Sequence, residues 1–115
     1  MNCYKGKNIH ITVGSYHFNL IFVPFEELKM DGLTNINDRI IKVRDDLDRQ
    51  ATLITIKHEL VHALIGTQGR VFQKKIDIED MCEFVAWRLE EINEIIGCIE
   101  AGLDDFESEE KLWVK

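Results

Sequence analysis

The segment His58-Glu59-Leu60-Val61-His62 sits inside a run from Asp48 to Gly66 that holds neither Pro nor Gly until its last residue. Apolar residues recur through it at Ala51, Ile54, Leu60, Val61, Leu64 and Ile65. This spacing predicts one amphipathic helix of about five turns. Residues four apart lie one turn above each other on the same face, so the imidazoles of His58 and His62 can converge on one point.

Two converging imidazoles are the beginning of a metal site, and their chemistry favours zinc, a borderline-soft ion that accepts tetrahedral geometry. A catalytic zinc site takes three protein ligands and keeps a fourth position for water. Glu59, between the two candidate ligands, can reach that water without binding the metal, where a general base for water attack belongs. The turns on both sides are apolar enough to be core. Three polar groups in such a helix need partners, which weighs against ordinary solvated His and Glu side chains.

At 115 residues the chain predicts a single domain over 1–115, with a tail from about residue 104 that is peripheral. Cys3, Cys82 and Cys98 are odd in number and lack paired metal spacing, which argues against a disulfide framework and for reduced thiols. The net charge of −7 and scattered Lys and Arg argue against nucleic acid as a partner. No apolar run approaches membrane-spanning length, and Met1 to Lys7 lacks the apolar segment of a secretion signal, so the expected setting is the cytoplasm.

From the start of the chain, Asn8–Val13 and Tyr16–Val23 both alternate, and Gly14-Ser15 between them suits a tight turn. One face of this hairpin carries Ile9, Ile11 and Val13, with Tyr16, Phe18, Leu20 and Phe22 alternating along the partner. Pro24 ends the second strand, and Phe25 to Met30 reads as about two helical turns before Asp31-Gly32. Leu33–Ile36 and Arg39–Val43 read as a second hairpin around Asn37-Asp38. The order predicts an α+β plan, a small sheet covered on one face by helices.

Beyond Gly66, Val71 and Phe72 anchor a connection, and a second long helix follows, capped by Asp77 with Asp80 in its first turn. Its apolar positions are Met81, Val85, Leu89, Ile92, Ile96 and Ile99, and Gly97 is expected to interrupt or end it. Cys82 reads as a buried structural thiol, Trp87 and Trp113 as packing residues.

A third ligand must come from another element. No His follows His62, and His10 and His17 lie upstream in the first hairpin. The acidic candidates on the second long helix are Glu79, Asp80, Glu83, Glu90 and Glu91. Glu79 and Glu83 share a face, so one can bind the metal while the other orients a ligating histidine. Spacing alone leaves open which does which.

His58-Glu59-x-x-His62 followed by Glu79-Asp-Met-Cys-Glu83-Phe-Val-Ala resembles the gluzincin metallopeptidases. The short chain and the strands ahead of the motif look most like minimal single-domain zincins of phages and mobile elements, related in core to the ImmA/IrrE-type peptidases. The resemblance spans roughly residues 33 to 90. It implies a zincin-like α+β fold, with a small antiparallel or mixed sheet packed against the motif helix and a following Glu-bearing helix. It implies zinc as cofactor, His58, His62 and Glu79 as ligands, Glu59 as general base, and Glu83 as a residue orienting a ligand or as the alternative ligand. It also implies that strand 39–43 is the sheet edge on which an extended peptide docks. Two features depart from the pattern: Glu83 stands where the family prefers Asp, and no His or Tyr follows the motif to stabilise an oxyanion. Arg70, Arg88, Tyr16 and His17 are the substitutes available.

The function expected is zinc-dependent hydrolysis of peptide bonds in a peptide or protein substrate. The alternative is a zinc-binding regulatory or interaction protein of a phage or mobile element that turns over weakly or not at all.

Overall fold

The computed structural model describes residues 3–67 and 78–113. The expectations for Val71, Phe72 and Asp77, and for the side chain of Trp113, lie outside the described residues. Strands β1 (Asn8–Val13) and β2 (Tyr16–Val23) form the first hairpin, with Ile9 opposite Leu20, Ile11 opposite Phe18 and Val13 opposite Tyr16. Gly14 takes φ 62 at the turn, which a residue with a Cβ adopts only with strain. Strands β3 (Gly32–Asn35) and β4 (Ile40–Arg44) form the second, antiparallel hairpin.

The two hairpins join through a parallel pairing of β2 with β4, giving the sheet order β1-β2-β4-β3. The sheet is therefore mixed, and the fold is α+β. This order corrects one expectation. The strand near 39–43 is interior, bonded on both sides, and the edge beside the helix is β3. Parallel neighbours far apart in sequence leave no local signal, so only the hairpins were readable.

Helix α1 (Arg49–Thr67) starts where expected because the Asp48 carboxylate accepts the Ala51 N–H at 2.8 Å, an N-cap. Thr52, Ile56, Leu60, Ala63 and Leu64 form the stripe it buries on the sheet, against Leu20, Ile41, Val43 and their neighbours in one core. At its far end Thr67 Oγ1 donates to the Ala63 carbonyl at 2.8 Å, satisfying a terminal acceptor.

The helical turns expected at Phe25 to Met30 do not form. A turn closes instead, with Glu27 and Leu28 donating to the Pro24 carbonyl, and Leu28 goes into the protein interior. Helix α2 (Ile78–Trp113) runs straight through Gly97, correcting the expected interruption. Gly97 lies on the exposed side, while Ile92, Ile95, Ile96, Ile99 and Leu103 pack on either side of it. Burial of that stripe outweighs the propensity cost of one glycine, about 1 kcal/mol. Leu89 departs from the expected stripe at 50% exposed, and Trp87 is no packing residue, being 78% exposed. Cys82 is exposed too, against the expectation of a buried thiol.

The second half of α2 is tied to the rest of the molecule by charge. Arg49 Nη1 reaches Asp104 at 2.7 Å and also meets Glu107, Lys7 meets Glu109 at 2.8 Å, and the Glu91 carboxylate accepts the Gly14 N–H at 2.7 Å. Among the described residues no helix is long and apolar enough to cross a membrane.

Candidate metal and hydrolytic site

His58 and His62 stand on the solvent side of α1, next to the stripe that the helix buries. Their Nε2 atoms are 3.2 Å apart, with the rings edge to face at 4.9 Å between centroids. A tetrahedral zinc ion with Zn–N bonds of about 2.0–2.1 Å sets its two imidazole nitrogens about 3.3 Å apart. The pair is therefore already spaced for such an ion. Without metal, the same separation lets one imidazole N–H donate to the other ring.

Glu59 belongs to the buried stripe and is 6% exposed. Its Oε2 lies 3.9 Å from His58 Nε2, beside the histidine pair and outside bonding distance. Its Oε1 accepts from the Thr34 hydroxyl at 2.8 Å. A buried carboxylate needs such a donor, and here the donor comes from the edge strand β3.

The close fit of β3 on α1 depends on Gly32. A Cβ there would stand 2.6 Å from Thr55 Cγ2 and 3.0 Å from Glu59 Cγ. A second close approach, at Gly66, would put a Cβ 2.5 Å from Ile36 Cδ1, where the β3–β4 turn rests on the end of α1.

Two cavities meet over these residues. One, of about 490 Å³, is lined by Leu33, Thr34, Ile36, His62, Ile65 and Gly66. The other, of about 440 Å³, is lined by Asp31, Ile54 and Thr55. Both include Met30, Gly32, His58 and Glu59, so His58 and Glu59 stand where the two adjoin in a groove between β3 and α1.

The structure thus brings His58, Glu59 and His62 together. Glu79 and Glu83 stand exposed on the opening turns of α2, and among the described residues no three of His, Cys, Asp and Glu gather as a metal-holding group. A third ligand from Glu79 or Glu83 has to reach the histidines from those turns. Of the oxyanion candidates, Tyr16 lies under the Arg39 guanidinium at 4.0 Å, His17 faces Thr12 at 3.3 Å, and Arg88 lies over Phe84. None of the three lines the groove. Arg70 is outside the described residues.

Sequence reasoning missed Thr34 and read Gly32 only as a breaker. Thr34 carried no signal, since its partner is 25 residues away. Gly32 carried one, because a glycine opening a strand often marks a close backbone approach.

No protein-family model matches this chain, and no curated protein or solved structure matches it either.

Proposed function

We propose that this chain is a zinc-dependent metallopeptidase with a zincin-like fold, resembling the gluzincins. The observation that carries the reading is the pair of Nε2 atoms 3.2 Å apart beside a buried carboxylate that a neighbouring strand holds in place. His58 and His62 hold the zinc, and Glu79 or Glu83 completes the set. Zinc bound there makes water a nucleophile near neutral pH and polarises the scissile carbonyl.

Glu59 accepts the proton of the attacking water and returns it to the leaving amine. Its burial and the Thr34 hydrogen bond hold it in place for both transfers. Strand β3 supplies the docking edge. Arg44 N–H donates to the Asp31 carbonyl at 2.9 Å, which in an antiparallel ladder turns the backbone groups of Leu33 and Asn35 toward β4 and those of Gly32 and Thr34 toward the groove. An extended peptide pairs with Gly32 and Thr34 and passes over the histidines.

The test is zinc per chain in protein purified without added metal, with Glu59→Gln alongside. The reading expects close to one zinc in both proteins and peptide hydrolysis only in the parent. Absence of zinc uptake, or full hydrolysis by Glu59→Gln, sinks it.

A second reading, a zinc-binding regulatory protein with weak or no turnover, is favoured by Tyr16, His17 and Arg88 lying off the groove. It expects zinc, a large fall in melting temperature on chelation, and no cleavage by the parent.

A further inference from the structure

The carboxyl end of β4 opens onto a cleft that shares no lining residue with the groove over the histidines. Side chains alternate along β4, so Ile41 and Val43 are buried on the face that the helices cover. Asp45 continues the alternation. Its N–H donates to the Val23 carbonyl at 2.9 Å, and its side chain, 6% exposed, lines the cleft where the strand has been placing core residues.

The other charged groups of the cleft are engaged. Arg44 Nη2 holds Asp46 at 2.7 Å, Asp48 caps α1, and Glu107 takes both the Tyr4 phenol and Arg49. Arg49 is spread over three carboxylates of α2, and the Arg44 guanidinium feels Asp45 only through space. Among the described residues no hydrogen bond or ion pair reaches the Asp45 carboxylate. A carboxylate taken out of water is costly unless a cation or donors compensate it.

The cleft measures about 350 Å³, within the range of small-molecule sites and about ten times the volume of one water. Four carboxylates stand in its wall against one guanidinium, so its field attracts a cation. Calcium and magnesium take six or more oxygen ligands, whereas among the described residues no three of His, Cys, Asp and Glu gather as a metal-holding group. An organic cation asks for less: one carboxylate for its ammonium head and an apolar wall for its carbon chain, which Leu47 and Tyr4 supply.

We propose that this cleft binds an alkylammonium group, with the head on the Asp45 carboxylate and the carbon chain on Leu47 and Tyr4. The site is separate from the histidine groove and stands whether or not the groove is hydrolytic.

The probe is butylammonium, with butan-1-ol as its uncharged counterpart, titrated into the full chain at neutral pH and followed by amide NMR. The amine should move the amides of Asp45 and Leu47 and leave those of His58 and Glu59 in place. It should bind at least about tenfold more tightly than the alcohol, the difference a hydrogen bond to a charged group supplies. Asp45→Asn should lose that advantage and, without ligand, should melt at a higher temperature than the parent, because it removes an unpaired buried charge. Asp38→Asn removes a charge that does not line the cleft and should leave the affinity unchanged. Equal binding of amine and alcohol, an advantage that survives Asp45→Asn, or a lower melting temperature in that variant overturns the proposal. So does binding of calcium chloride at Asp45 in place of the amine, which makes the cleft a metal site. A capped Ala-Ala-Lys-Ala-Ala peptide separates the sources of the group. Affinity equal to that of butylammonium assigns the cleft to a lysine side chain, and exclusion of the peptide assigns it to a free amine.

Discussion

The Thr34 hydroxyl lies 2.8 Å from Glu59 Oε1, so the edge strand of the sheet also holds the proposed base. Thr34→Val keeps the shape and removes the donor. It should lower kcat about tenfold, part of the range a positioned base supplies, with KM and zinc content unchanged. Thr34→Ser should restore most of the rate. A parallel loss of zinc in Thr34→Val would assign the residue a structural role instead.

Gly32→Ala should destabilise the protein by about 1–3 kcal/mol, the usual cost of forcing a methyl into a closed contact. The clash is with Thr55 Cγ2, at 2.6 Å. Thr55→Ser removes that methyl, so the double variant should recover part of the loss, and urea unfolding of the four proteins reads the coupling. Additive effects would mean that β3 shifts as a whole.

The two acidic candidates on α2 make opposite predictions. If Glu79 is the ligand, Glu79→Ala should lose zinc while Glu83→Ala keeps it with affinity reduced about 10–100-fold, the effect of losing a residue that orients a ligand. Isothermal titration with zinc separates the cases, and the reverse pattern names Glu83.

Burial, with the negative charge of Glu107 next in effect, pushes the Tyr4 phenol from 10.0 up to about 12. The folded pKa is raised, so the unfolded chain ionises first. The stability this contributes is whole below pH 10 and is lost as pH rises toward about 12. Denaturant midpoints between pH 9 and 12 should fall more steeply for the parent than for Tyr4→Phe.

Arg49 faces Glu100, Asp104 and Glu107, three carboxylates on successive turns of α2. Arg49→Met should lower stability by about 1 kcal/mol, because it removes a partly exposed network and leaves like charges adjacent. The loss should shrink in high salt. A salt-independent loss would point to packing of the arginine stem.

What the sequence made legible was local. The first hairpin, the second hairpin and α1 with its Asp48 cap follow from alternation, turn residues and helical periodicity, and each was placed within a residue or two. The histidine pair was legible for the same reason, since a four-residue spacing on one helix fixes its geometry. The parallel join of β2 to β4 was not, nor the passage of α2 through Gly97, nor the outward stance of Ile54, Trp87 and Cys82. Each depends on which surfaces meet in three dimensions, and a propensity or a period carries no record of that. The Thr34 hydroxyl belongs with them, as a contact made by the fold and not by the segment.

The anchoring of α2 also orders events at the ribosome. Lys7 emerges early and meets its partner Glu109 only 102 positions later, and the Arg49 guanidinium waits for residues 100–107. Both hairpins and the helix bearing the histidines leave the exit tunnel before the long helix can close over them. Until then β1, with its buried Ile11 and Val13, lacks the cover of α2, and a nascent chain stalled short of that helix presents a sheet face open to chaperones.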